Sequence, residues 1–260
     1  MKIGFFDSGV GGMTVLWRAL RLLPQEDYVY FADTAHVPYG EKSKSQVCEF
    51  VFEAARFLAK KNIKALVIAC NAATSAAAKE LRGEFGFPII GTEPAVKPAI
   101  QKSQQKGKRV LVLSTHLTLR EEKYTNLVDR LDDAGLVDGL ALPGLVQFAE
   151  KFEFRPEIVV PYHKEELTPY DVNQYGTIVL GCTHFPLFTD MLRDIFPADT
   201  DIIDGGLGTA KNLKRILTEQ QLLNGGSGEI EYYSSGVKIE DAVKLDQYAS
   251  LLTRLDKIYG

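Results

Sequence analysis

Short apolar runs rich in valine, isoleucine and aromatic residues alternate with longer stretches of helical period over all 260 residues. That alternation narrows the fold more than any other feature, because a chain patterned strand, helix, strand, helix builds parallel sheets covered by helices. Strands are expected at Lys2 to Phe6, Tyr28 to Ala32, Lys64 to Ala69, Pro88 to Gly91, Arg109 to Ser114, Thr177 to Gly181, Asp201 to Ile203 and Glu229 to Tyr233. The clearest helix is Lys44 to Lys60, where Val47, Phe50, Val51, Ala54, Phe57 and Leu58 recur three or four apart along one buried stripe. Cys48 lies beside that stripe and reads as a packed structural thiol.

Composition excludes several classes. With 45% hydrophobic and 25% charged residues the chain can bury a sizeable core without disulfides. No apolar run approaches the roughly 20 residues of a membrane span, and the opening MKIGFFDSGVGG reads as a strand and glycines, not as a signal peptide. A cytoplasmic protein with no membrane partner is expected. A net charge of -4 argues against general affinity for nucleic acid, and Lys60, Lys61 and Lys64 are expected to face solvent. The three cysteines form no CxxC pair and no zinc spacing, so no metal is expected. Neither GxGxxG nor GxxxxGKS/T occurs, so nucleotide binding lacks its signal.

In open α/β sheets the ligand crevice lies beyond the carboxyl ends of the strands. The chemistry-bearing segments there are Asp7-Ser8-Gly9-Val10-Gly11-Gly12, Cys70-Asn71-Ala72-Ala73-Thr74, Ser114-Thr115 and Gly181-Cys182-Thr183-His184-Phe185-Pro186. The glycine-rich turn offers backbone N–H groups to an anion. Asp7 within it faces a substrate ammonium, bonds a catalytic proton, or only caps the turn. Cys70 and Cys182 each follow an apolar strand where a helix is expected to begin, a position that favours the thiolate. One such cysteine reads as packing, whereas two at equivalent points of two similar half-structures point to chemistry. His184, two residues beyond Cys182, is placed to trade its proton. Asn71, Thr74, Thr115, Thr118 and Thr183 add neutral hydrogen-bonding groups. Disulfide redox usually uses CxxC spacing, and acyl transfer needs one thiol. Inversion at a carbon needs a base on one face and an acid on the other, which two thiols supply.

In Asp7-Ser8-Gly9-Val10-Gly11-Gly12, Tyr30-Phe31-Ala32-Asp33-Thr34-Ala35-His36-Val37-Pro38-Tyr39-Gly40, Ala69-Cys70-Asn71 and Gly181-Cys182-Thr183-His184-Phe185-Pro186, the chain resembles the cofactor-independent glutamate racemases of the aspartate/glutamate racemase superfamily. The resemblance covers nearly the whole chain. It implies an α/β fold of two pseudo-symmetric lobes, each a mostly parallel sheet flanked by helices, with the active site in the cleft between them. Residues 1–93 and 206–260 would form a discontinuous first lobe and 94–205 the second. Cys70 and Cys182 would be the acid/base thiols, one for each enantiomer of glutamate, with Asp7 assisting Cys70, His184 assisting Cys182 and Glu150 supporting His184. Asp7, Ser8, Pro38, Tyr39, Gly40, Asn71, Ala72, Thr74, Thr115, Thr118, Thr183 and His184 would bind substrate. A homodimer without cofactor or metal, supplying D-glutamate for peptidoglycan, is the implied assembly and role. Two positions depart from the pattern. Relatives read Cys-Asn-Thr where Ala72 stands here, a lost hydroxyl for which Thr74 is expected to compensate, and Leu142-Pro143-Gly144-Leu145 lacks a cysteine found in many relatives. Ala72 leaves aspartate or another small acid open as substrate. A non-catalytic amino-acid binder and a thiol redox protein are the readings from other classes.

Overall fold

The computed structural model describes residues 1–132 and 134–260. Strands β1 (Lys2–Asp7), β2 (Tyr28–Ala32), β3 (Ile63–Ile68) and β4 (Ile89–Gly91) lay down the first sheet. Strands β5 (Arg109–Ser114), β6 (Val137–Ala141), β7 (Tyr175–Leu180) and β8 (Asp201–Asp204) form the second. The chain then returns to the first with β9 (Ile230–Ser234) and β10 (Val237–Lys238), giving the orders β10-β9-β2-β1-β3-β4 and β6-β5-β7-β8. Apart from the β9–β10 hairpin, the pairings are parallel. Strands covered on both faces read as unbroken apolar runs. That is why β3 and β7, buried along their whole length, stand out in the sequence.

The cores β2-β1-β3-β4 and β6-β5-β7-β8 repeat one order. Asp7 ends β1 and Ser114 ends β5, while Cys70 and Cys182 each stand two residues past β3 and β7. One apolar cluster runs through both sheets, joining Phe5 and Tyr28 to Leu111, Phe185 and Leu255.

Two strands escape the sequence pattern. In β6 the residues Asp138 and Gly139 interrupt the apolar run, since this edge strand is only half-buried; Arg109 holds it by donating to both Asp138 oxygens at 2.7 and 2.8 Å. β10 is only two residues long. The helix Lys44–Ala59 begins at a capping box between Ser43 and Gln46 and buries Val47, Val51, Ala54 and Leu58, with Phe50 and Phe57 half-buried at the stripe's edge. Lys64 corrects the expectation of solvent exposure: it is 2% exposed and donates to Glu26, Asn224 and the Leu222 carbonyl. Burying an ammonium requires such a set of acceptors. Among the described residues no helix is long and apolar enough to cross a membrane.

Candidate active site

β1 delivers Asp7 into a loop whose glycines answer to crowding. None of Gly9, Gly11 and Gly12 has a positive φ. A Cβ at Gly9 would overlap the Glu150 carboxylate, and one at Gly11 would sit 2.5 Å from His184 Nδ1 and 2.6 Å from Thr183 Oγ1. Side chains from the second lobe therefore press directly on this backbone. The Gly9 N–H donates to Asp7 Oδ2 at 3.0 Å and the Val10 N–H to Glu150 Oε1 at 2.8 Å. The expected anion cradle thus receives a carboxylate, but it is the chain's own Glu150.

Cys70 caps the helix Asn71–Glu84, is buried, and has its Sγ 3.8 Å from Ser8 Oγ. The expected helix-start activation is overturned here. Burial pushes the thiol up and the charges of Asp7 and Cys182 add to it, outweighing the Ala73 N–H that favours the thiolate. Cys182 is followed by a turn and the short 3₁₀ helix Phe185–Phe188, not by an α-helix. Its partner is His184, with Nδ1 3.5 Å from Sγ and Nε2 2.6 Å from Glu150 Oε1. Burial opposes charge on the imidazole, but its hydrogen bonds to Cys182 and Glu150 reverse this and hold it well above the usual histidine range. Asp7 is pushed up to about 6 by burial, against the pull of His184 and the Gly9 N–H. It accepts from Thr183 Oγ1 at 3.1 Å and acts on Cys70 through its charge.

Both thiols open on one cavity between the carboxyl ends of the two sheets. Ser8, Pro38, Tyr39, Gly40, Cys70, Asn71, Ala72, Thr115, Thr118, Cys182, Thr183 and His184 line it. Asp7 lies fully buried outside this lining, and Glu150 stands behind His184. Thr74 is a correction: its hydroxyl donates to the Ile68 carbonyl at 3.2 Å and accepts from the Thr92 N–H at 3.1 Å, so it braces the end of β4 and replaces nothing at Ala72. Val146 and Gly181 also line the cavity and escaped the sequence reading. Val146 sits four residues before Glu150 on the helix Pro143–Glu150, so helical spacing was the available clue.

Among the wall atoms, Asn71 Oδ1 is buried without a hydrogen-bond partner among the described residues. Tyr39 donates to Asp33 Oδ2 at 2.6 Å. The cavity volume is about 20 Å³, room for the centre of about one water. A larger ligand requires the lining residues to move apart. A Cβ on Gly40 would lie 2.7 Å from Thr115 Cβ, and outside the cavity lining Lys44 Nζ meets Glu121 Oε2 at 3.0 Å. Among the described residues no three His, Cys, Asp or Glu side chains are grouped to hold a metal ion.

The family description Asp/Glu/Hydantoin racemase matches residues 14–212. Over 99% of its length the chain is 57% identical to glutamate racemase 2 of Bacillus subtilis (strain 168), covering 97% of that protein. It is similar to the crystal structure of Francisella tularensis glutamate racemase in complex with D-glutamate, with a TM-score of 0.79 and 29% identity over 97% of this chain and 93% of that one. It is also similar to Escherichia coli glutamate racemase in complex with L-glutamate and the activator UDP-MurNAc-ala, with a TM-score of 0.76 and 27% identity over 90% and 98%.

Proposed function

The chain belongs to the Asp/Glu/Hydantoin racemase family, and on that footing we propose that it is a glutamate racemase, interconverting L- and D-glutamate by proton transfer at Cα between two cysteines. The observation that carries the reading is that Cys70 and Cys182, delivered by different sheets, open on one small cavity. One thiolate takes the Cα proton, breaking C–H and forming S–H. The opposite thiol gives its proton to the other face of the carbon, breaking S–H and forming C–H. Two such steps invert the centre without a redox change.

Each sulfur has a distinct supporting group. His184, made basic by its two hydrogen bonds, takes or returns the Cys182 proton while Glu150 holds the imidazolium. Asp7, its carboxyl pushed up to about 6 by burial, can hold a proton beside Cys70. The charge that develops in the substrate carboxylate after deprotonation is met by preorganised donors, among them the Ser8 hydroxyl and the Asn71 amide. The unpartnered Asn71 Oδ1 accepts from the substrate ammonium. Closing the mouth at Gly40 and Thr115 excludes water and strengthens these contacts.

The same reading carries a cytoplasmic homodimer that supplies D-glutamate for peptidoglycan. Lobe boundaries near residues 93 and 206 go with it, supported by the division of strands between the two sheets. Purified protein incubated with both enantiomers of glutamate and of aspartate tests it by circular dichroism. Glutamate is expected to racemise, and Cys70→Ser and Cys182→Ser each to lose about 10²–10⁴-fold. Retained activity in either variant refutes the two-thiol mechanism, and faster turnover of aspartate refutes the substrate.

A further inference from the structure

The turn that carries Cys182 and His184 is held from behind by the last helix of the chain, Ala242–Tyr259. Arg254 on that helix donates Nε to the Leu187 carbonyl at 2.7 Å and Nη2 to both Asp190 oxygens at 2.9 Å, with its guanidinium carbon 4.7 Å from the centre of the Phe154 ring. One turn on, the Tyr259 hydroxyl meets Thr189 Oγ1 at 2.6 Å. Leu187 belongs to the 3₁₀ helix Phe185–Phe188 that His184 caps, and its N–H closes the turn onto the His184 carbonyl at 3.2 Å. The far side of the same helix is tied to the first lobe, where Trp17 Nε1 donates to Asp256 at 2.7 Å. The helix therefore spans from the element that follows the Asp7 loop to the backbone immediately after His184.

From this geometry we propose that Arg254 is a positioning residue for the proton transfer at Cys182, one that fixes the approach of His184 to that thiol. Arg254 does not line the cavity; it acts by anchoring the Leu187 carbonyl and the Asp190 carboxylate together, so that the turn between Cys182 and Thr189 keeps one shape. A planar fork can bridge a carbonyl and a carboxylate at once, and an ammonium is a single point. Arg254→Lys keeps the charge and loses the bridge. Misplacing reacting groups by about 1 Å costs up to about 10²-fold in rate. The inference rests on the racemase reading above.

The two enantiomers are equally stable, so any variant lowers kcat/KM equally in both directions, and rate alone does not say which thiol is disturbed. The primary deuterium isotope effect with α-deuterated glutamate does. In Arg254→Lys, kcat is expected to fall about tenfold with KM within about twofold. The isotope effect on kcat/KM is expected to rise for only one enantiomer, the same one singled out by His184→Asn. Asp190→Asn, which leaves the Leu187 contact in place, is expected to show the same asymmetry more weakly. Rates are taken per folded molecule, with folding checked by circular dichroism. Isotope effects that stay symmetric in Arg254→Lys, or an asymmetry opposite to that of His184→Asn, overturn the inference. A parallel wild-type sample that does not racemise glutamate overturns the racemase reading itself.

Discussion

Asp7 has no exposed surface, and burial lifts its carboxyl to about 6 from an ordinary value of 3.8. The folded state therefore holds the proton more tightly than the unfolded chain, and the stability this provides below about pH 4 is lost as pH rises through about 6. The loss amounts to about 3 kcal/mol. Asparagine at position 7 can keep both contacts, its amide oxygen accepting from Gly9 and its amide nitrogen donating to the Thr183 hydroxyl once that hydroxyl turns. Asp7→Asn is expected to be about 1–3 kcal/mol more stable than wild type at pH 8 and nearly equal to it at pH 4, while losing racemisation. Urea melts at the two pH values measure this, and a stability gap independent of pH contradicts it. His163 shows the opposite sign. It is fully buried on the helix Pro156–Glu166 against Phe188, both ring nitrogens lack hydrogen-bond partners among the described residues, and burial lowers it to about 4. Its neutral form is favoured by the fold, so that stability is complete above about pH 6.5 and lost as pH falls through about 4, to the extent of about 3 kcal/mol. His163→Phe is expected to flatten the acid limb of stability between pH 7 and 4 in guanidinium melts, and an unchanged limb counts against this account. Asp7 was legible in the sequence because it sits in a motif at a strand end. His163 was not, since nothing in its local pattern shows how completely the helices cover it.

At the scale of elements, the Asp7 to Gly12 loop shows how a correct physical reading can miss its object. Its glycines and free N–H groups do receive a carboxylate, but Glu150 is 140 residues away in sequence and no local pattern announces it. Thr74 fails for a related reason: helical spacing puts it near the cleft, yet its hydroxyl turns to the ends of β3 and β4. In contrast, Cys70 and Cys182 were readable because the two half-structures repeat one strand order, with a thiol at the same step. The helix-start argument for Cys70 lost to desolvation, which outweighs a few oriented N–H groups in a buried site. The crowding at Gly11 makes a sharp test. Gly11→Ala places a methyl against the His184 ring and the Thr183 hydroxyl, and racemisation is expected to fall at least about 10²-fold while the protein stays folded by circular dichroism. Activity near wild type would mean that the loop yields and that the contact carries no function.

For the whole molecule, the alternation of apolar strands and helices made the architecture legible, because parallel strands covered on both faces cannot hide in a sequence. The closeness of the lobes was not legible. It depends on surfaces meeting across the cleft, at Gly40 on Thr115 and Lys44 on Glu121, and leaves a cavity of about 20 Å³. On the proposed mechanism, substrate opens this space and is then enclosed by it, with a sulfur toward each face of its α-carbon. The most direct measurement starts from one pure enantiomer of glutamate in deuterium oxide and follows ellipticity to completion. Two separate acids and bases predict that the signal crosses zero, overshoots to the opposite sign and only then decays, because product carries solvent deuterium while remaining substrate keeps its protium. A monotonic decay to zero, with deuterium appearing equally in both enantiomers from the start, would mean that a single group serves both faces and would contradict the account.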